Sequence, residues 1–212
     1  MQCIIRSRAT TPEQKALRLA QIMDVTAARF TTLSYEDVNL KHIAADVGIT
    51  KAALYRYFRN KETLFLAVYS QETQSLAQTA ASEMGQQSLT DSICNTLIKH
   101  PLYCKLSAIM HTALQCNLTL DEAREFKTAL LQFIQQYAAM ISEHYALSIA
   151  QATELILQVQ QVIIGCWHMS HSVGAVAEVI KEGPLQIFEL NFAEILHSHI
   201  ARLVASYQHS YK

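Results

Sequence analysis

Along most of the chain, apolar residues return every three or four positions with polar residues between them. That spacing is the period of an α-helix with one buried stripe. Ile22, Val25, Thr26 and Phe30 form such a stripe behind the start signal Thr11-Pro12-Glu13-Gln14. Thr11 can cap, proline is tolerated in a first turn, and Gln14 completes a capping box, so a first helix is predicted from Pro12 to about Phe30. Asn39 can cap a short second helix, LKHIAADV. Gly48 is placed to end it, because glycine accepts the left-handed conformation of a helix stop. Thr50 caps a third helix, KAALYRYF, and Asn60 a fourth that begins at Lys61 and continues past Tyr69. Further helices are predicted over 89–99, 101–116, 120–146, 149–172 and 185–208. Thr119 with Glu122 and Ser148 with Gln151 supply two more capping boxes. No alternating strand pattern, internal repeat or low-complexity tract accompanies them.

Composition supports an all-α fold. Only five glycines and three prolines occur in 212 residues, far fewer than the turns of a β-sandwich or barrel need. Half of the residues are hydrophobic and 17% are charged, which suits a packed core and not a disordered chain. The length allows one large domain or two small ones. Cys3, Cys94, Cys104, Cys116 and Cys166 are odd in number and scattered, so no disulfide framework or zinc motif is read from them. The N-terminal stretch lacks the apolar run of a secretory signal. Leu155 to Ala177 carries no Asp, Glu, Lys or Arg, but it holds three glutamines, two histidines and two serines. A lipid-facing span tolerates few of these, so the segment is read as a helix buried in protein, and the chain as soluble and cytoplasmic.

The formal net charge of −1 conceals an asymmetry. Residues 1–70 carry ten Lys and Arg against six Asp and Glu; residues 71–212 carry seven against twelve. A basic front suggests a polyanionic partner. Lys51, Arg56, Arg59 and Lys61 fall close together, interleaved with Tyr55, Tyr57 and Phe58. Just before them, two short helices flank Val47-Gly48-Ile49-Thr50. This is the helix-turn-helix pattern, whose second helix enters the DNA major groove while the first crosses the backbone. Ile43, Ala44, Val47, Ile49 and Leu54 would form its small core.

The fuller string IAADVGITKAALYRYFRNKETLFLAVY resembles the N-terminal domain of the tetracycline-repressor (TetR) family of transcriptional regulators. The matching positions are Ile43-Ala44, Gly48-Ile49-Thr50, Lys51, Leu54-Tyr55, Tyr57-Phe58, and Lys61-Glu62 with Leu64. The likeness covers roughly residues 12–70. Ala52 and Ala53 depart from it, standing where the family often has Gly-Thr, so base preferences do not carry over. The resemblance implies a helix-turn-helix DNA-binding domain over 1–60, a linking helix over about 61–80, and a ligand-binding and dimerisation domain over 81–212.

Roles follow from side-chain chemistry. Thr50 and Lys61 are candidates for phosphate contacts, and Tyr55 resembles the family tyrosine whose hydroxyl contacts the DNA backbone; such contacts position a protein on DNA without reading sequence. Lys51, Ala52, Ala53 and Arg56 are candidates for base edges, since Lys or Arg reads guanine and alanine packs on a thymine methyl. Lys41 and His42 on the second helix would reach the groove rim, and Tyr57 completes the candidate DNA surface. Leu54 and Phe58 are assigned to the core.

One helix-turn-helix covers one half-site, so a dimer is expected. The resemblance implies dimerisation through the last two long helices, about 149–172 and 185–208. Independently, the helix at 152–167 is apolar on more than one side and must bury two faces. The family also implies a pocket for a small-molecule effector among the middle helices. Its candidate lining is Tyr103, Cys104, Ser107, Met110, His111, Leu114, Phe133, Tyr137, Trp167, His168 and His171. No cofactor or metal is expected, although His100 with Cys104 and His168 with His171 could each share a helix face. A metal- or redox-responsive regulator of the same fold is therefore the alternative. No nucleotide loop, nucleophile elbow or metalloprotease motif is present, so no enzymatic activity is expected. The implied function is a regulator, on the family pattern a repressor, that binds a palindromic operator and is released by a small molecule.

Overall fold

The computed structural model describes residues 11–208; Cys3, Arg6 and Arg8 lie outside the described residues. The described chain is helical, with no β-strand. The helices are α1 (Pro12–Thr32), α2 (Leu40–Val47), α3 (Lys51–Leu54), α4 (Lys61–Glu83), α5 (Leu89–Lys99), α6 (Pro101–Ile109), α7 (Leu120–His144), α8 (Ile149–Ser170), α9 (Gly174–Val179) and α10 (Phe192–Gln208).

Side-chain caps set most of the helix starts. Thr11 Oγ1 accepts the Gln14 N–H at 3.2 Å while Gln14 Oε1 accepts the Thr11 N–H at 3.3 Å. The same reciprocal box forms at Thr119 with Glu122 and at Ser148 with Gln151. Asn60 caps α4 with Thr63 as its reciprocal partner. Each cap satisfies donors that a helix start otherwise leaves open, and is worth about 1 kcal/mol.

α1, α2, α3 and the first turns of α4 form the N-terminal head. Ile22, Thr26 and Phe30 on α1 are buried against Ile43, Ala44 and Val47 of α2, Leu54 of α3, and Leu64 and Phe65 of α4. Phe65 takes edge contacts from Phe30 at 5.0 Å and Tyr35 at 4.9 Å. Arg18, also buried, donates to the Val47 carbonyl at 3.2 Å and so ties α1 to the end of α2. Arg29 and Asp46 repeat that tie at the surface, 2.7 Å apart. The rear is built around α8, against which α6, α7 and α10 pack, and α10 also lies on α5. The long α4 leaves the head and packs on α5, α6 and α7.

Beyond shifts of a residue or two at helix ends, three predicted helices differ from the sequence reading. The third helix, predicted over 51–58, ends at Leu54; Arg56 and Tyr57 instead donate three residues back, to Ala53 and Leu54. This tighter winding lets the chain turn in time for Asn60 to cap α4. The helix predicted over 101–116 changes after Ile109 into a π-turn, Met110–Leu114, with Gln115 donating five residues back to Met110. The helix predicted over 185–208 is a 3₁₀ turn at Gly183–Phe188 followed by α10, whose start Asn191 caps by accepting the Glu194 N–H at 3.2 Å. The short α9 lies between the predicted spans 149–172 and 185–208 and has no side-chain cap to signal its start. No single helix among the described residues is long and apolar enough to cross a membrane; α7 and α8 pass that test only as a pair bent by 119°.

Candidate nucleic-acid interface

α2 and α3 are joined by Gly48, whose φ of 74° lies in the left-handed region. That conformation costs an ordinary L-residue about 1–2 kcal/mol and glycine nothing, which is why the turn can be this tight. Thr50 then caps α3 by accepting the Ala53 N–H at 3.1 Å. With Leu54 and Phe58 buried beneath it, α3 has a single outward face.

That face carries the predicted residues. Lys51, Ala52, Tyr55 and Arg56 are exposed, and Ala53 and Tyr57 are half-buried. The Lys51 ammonium stands 5.6 Å from the centre of the Tyr55 ring, a cation–π contact that leaves the charge at the surface. Lys41 and His42 are exposed at the start of α2. Asp46, on the same helix, is occupied by Arg29, whose guanidinium holds its carboxyl below the usual carboxylate range. A compact positive surface therefore forms around α3.

Lys61, expected to meet a phosphate, is engaged within the molecule in this structure. Its ammonium donates to the Tyr35 carbonyl and lies 4.2 Å from the centre of the Tyr35 ring. Partial burial pushes its pKa down. In this conformation Lys61 fastens the α1–α2 loop to the start of α4 and does not face outward as a free charge.

Arg59, not assigned by sequence reasoning, reaches across to the rear of the molecule. Its guanidinium meets Glu122 at 2.9 and 2.7 Å and the Asn117 carbonyl at 2.5 Å. Asn60 donates to that same carbonyl at 3.1 Å, and Asn117 donates to Glu62 at 2.7 Å. Hydrogen bonds from the guanidinium and the Thr119 backbone hold the Glu122 carboxyl at about 2. Lys105 of α6 makes a second tie, donating to the carbonyls of Phe30 and Leu33 at 2.6 and 2.9 Å and so closing the end of α1. Long-range ties of this kind leave no local signal in sequence.

The predicted pocket residues separate into groups. Tyr103, Phe133 and Tyr137 line one cavity of about 40 Å³, together with residues of α4, α5 and α8. Phe133 also lines a neighbouring cavity of about 210 Å³ between α4 and α7. Trp167 and His171 stack at 3.8 Å and line a different groove, beside the end of α1. Cys104, Ser107, Met110 and Leu114 are buried packing residues, with the Cys104 thiol on the Leu97 carbonyl at 3.6 Å. His111 is exposed, and His168 bonds the Ala108 carbonyl at 3.1 Å. Among the described residues, these cavities divide the candidate lining between them. In the metal-type pairs, His100 bonds Thr79 at 2.8 Å and His171 stacks on Trp167, and among the described residues no group of three or more His, Cys, Asp or Glu is placed to hold a metal ion. Burial pushes the Cys94 and Cys104 thiols up to about 12, away from the reactive thiolate.

An all-helical chain with a capped, basic helix-turn-helix at one end and a larger helical module behind it defines a DNA-reading regulator. Residues 64–208 match the family described as "Tetracyclin repressor-like, C-terminal domain" and residues 22–68 the one described as "Bacterial regulatory proteins, tetR family". The chain belongs to the TetR family of transcriptional regulators. Over 68 residues it is 28% identical to the HTH-type transcriptional repressor Rv1474c of Mycobacterium tuberculosis, a match spanning 32% of this chain and about a third (36%) of that one. Its fold is similar to a possible TetR family transcriptional regulator from Streptomyces coelicolor A3(2), with a TM-score of 0.60, 15% identity and coverage of 91% and 99% of the two chains. It is also similar to a transcriptional regulator from Cytophaga hutchinsonii (0.59, 19%, 90% and 96%) and to the multidrug binding protein EbrR complexed with imidazole (0.56, 11%, 88% and 94%).

Proposed function

We propose that this regulator is a ligand-responsive repressor that binds a palindromic operator as a homodimer in the cytoplasm. The observation that carries the DNA reading is the outward face of α3. There Lys51, Ala52, Tyr55 and Arg56 stand exposed over a buried Leu54 and Phe58. Lys51, Ala52, Ala53 and Arg56 take the base edges; Thr50, Tyr55 and Tyr57 the adjoining phosphates; Lys41 and His42 the rim. Lys61 is given a different task from the phosphate contact expected of it, namely holding the Tyr35 loop.

Dimerisation rests on the outward side of α8 and α10. An open groove of about 570 Å³ runs between them, lined by Val162, Gly165, Met169 and Leu203 among others. Gly165 leaves open space where a side chain would stand, so a partner helix can approach closely. Such a groove suits the isologous contact of a two-fold dimer, which sets two heads on two half-sites.

Effector response rests on the coupling between halves. The π-turn after α6 leads directly into Asn117 and Glu122, which grip Arg59 and Asn60 beside α3. A ligand that moves α6 or α7 therefore moves the head, and favours whichever head spacing it binds better. The named relative is itself a repressor, which supports that sign of regulation. Footprinting on the DNA flanking the protein's own gene tests the proposal. Protection of two symmetric half-sites, one helical turn or a multiple apart, is the expected result; protection of a single half-site or none contradicts it.

A further inference from the structure

The cavity among α4 to α8 contains a specific chemical signature. Its walls are apolar apart from Thr96, Tyr103, Tyr137 and Gln160, and none of the residues lining it carries a charge. Two of the polar groups have no hydrogen-bond partner: Thr96 Oγ1, on a side chain 1% exposed, and Gln160 Nε2. Both atoms are buried, so leaving them open costs free energy that a bound group would recover.

The orientation of Gln160 is fixed by a relay. The Tyr69 hydroxyl donates to Tyr103 at 3.3 Å, and the Tyr103 hydroxyl donates to Gln160 Oε1 at 3.2 Å. Because the amide oxygen is used, the group left open is the Nε2 donor. A donor requires an acceptor on whatever fills the space. A net charge is disfavoured there, since no counter-charge lines the walls.

We infer that this cavity takes an uncharged, mostly apolar molecule that presents one carbonyl or hydroxyl oxygen to Gln160 Nε2 and Thr96 Oγ1. This rests on the proposed effector role and specifies the chemistry of the effector. At about 40 Å³ the cavity holds a few waters, well short of the several hundred Å³ of a typical ligand site. Phe133 supplies the room. It lines both this cavity and the adjacent one of about 210 Å³, whose walls add Ser70, Thr73, Gln74, Gln132 and Gln136 but no charge, and a turn of its ring would join the two. Tyr103, stacked 5.3 Å from Tyr69 of α4, is then the first group to feel an occupant, and α4 is the helix that begins in the head.

The experiment uses the full chain and four probes of one size: acetophenone, ethylbenzene, benzoate and benzylammonium. Binding is followed by titration and by the side-chain amide resonances of Gln160, in wild type, Thr96→Val, Gln160→Leu and Phe133→Ala. Acetophenone is expected to bind about tenfold tighter than ethylbenzene, as one additional buried hydrogen bond allows, and to shift the Gln160 resonances. Gln160→Leu abolishes the preference and Thr96→Val reduces it. Phe133→Ala, with the partition removed, binds the ketone more tightly while keeping the preference. Equal binding of ketone and hydrocarbon, or tighter binding of either ion, overturns the assignment. So does a preference that survives both polar substitutions, or absence of binding even in Phe133→Ala. DNA binding is measured separately. DNA release by a charged probe with Gln160 unmoved overturns this site but leaves effector response standing. The Gln160 signature without DNA release supports the site's chemistry and overturns effector response by this route.

Discussion

Arg59 and Glu122, 63 residues apart in sequence, meet through two hydrogen bonds, Nε to Oε1 at 2.9 Å and Nη2 to Oε2 at 2.7 Å. One residue closes the turn after α3 and the other sits in the first turn of α7, so the pair bolts the helix-turn-helix head to the rear module. Both side chains are solvent-accessible, and the pair adds little to global stability. Its contribution is to geometry. Arg59→Gln is predicted to leave the melting temperature nearly unchanged. It is also predicted to raise amide exchange over residues 59–63 and 117–122 and to weaken any effector-induced change in DNA affinity. Unchanged exchange at both segments would contradict the coupling role.

The same pair has a pH signature. Glu122 has a folded-state pKa of about 2, below its unfolded value. A depressed carboxylate contributes stability that is fully present above the unfolded pKa and is lost as pH falls through the folded one. The clamp is therefore intact at neutral pH and fades as pH drops from the ordinary carboxylate range toward 2. Acid titration followed by the Glu122 side-chain carboxyl resonance checks this; a midpoint at the ordinary glutamate value would contradict it.

Lys61 and Lys51 differ in environment, and their substitutions should separate two effects. Lys51 is exposed on α3, whereas Lys61 is tethered to the Tyr35 carbonyl and ring. Lys61→Met is predicted to lower the melting temperature through loss of the loop tether, with little change in the salt dependence of DNA binding. Calorimetry together with binding titrations across salt concentrations tests the difference. A reduced salt slope for Lys61→Met would return it to the phosphate role.

Gly48→Ala isolates backbone strain. A Cβ at Gly48 meets nothing within 4 Å, so the cost comes from φ alone. The variant is predicted to lose about 1–2 kcal/mol in chemical denaturation. An unchanged midpoint would contradict the need for a left-handed turn there.

Gly165→Arg tests the dimer. Open space surrounds Gly165 within one chain, and an interior helical glycine is already about 1 kcal/mol worse than alanine. The fold should therefore tolerate the change while association fails. Sedimentation should show a folded monomer; a dimer of wild-type affinity would place the interface elsewhere.

The helix starts were legible because their signals are local. Thr11 with Gln14, Thr119 with Glu122 and Ser148 with Gln151 lie three residues apart and act within one turn. Gly48 and Thr50 similarly announced the turn before α3. Asn191 with Glu194 carries a related signal, but the apolar periodicity continues across the break and masks it. The early end of α3 was not readable: Tyr55 to Phe58 are compatible with helix, and the tighter winding is imposed by the need to begin α4 at Asn60. The π-turn after α6 also lacked a local signal, since its registry depends on burying Met110 and Leu114. In the candidate site, exposure of Lys51 and Arg56 followed from helical periodicity. The Lys61–Tyr35 tether and the Arg59–Glu122 clamp depend on segments brought together by packing, which periodicity does not reveal.

The proposed grip of the outward face of α3 on duplex DNA has a direct readout in salt dependence. Binding of wild type, Lys51→Ala and Arg56→Ala to the footprinted operator duplex would be measured across a range of salt concentrations. The predicted result is a wild-type log–log slope of several units. Any variant that removes a phosphate contact should lower that slope by about one for each protomer's contact. Any variant that removes a base contact should bind less selectively against a scrambled duplex. Wild-type slope, affinity and selectivity in both variants would contradict the claim.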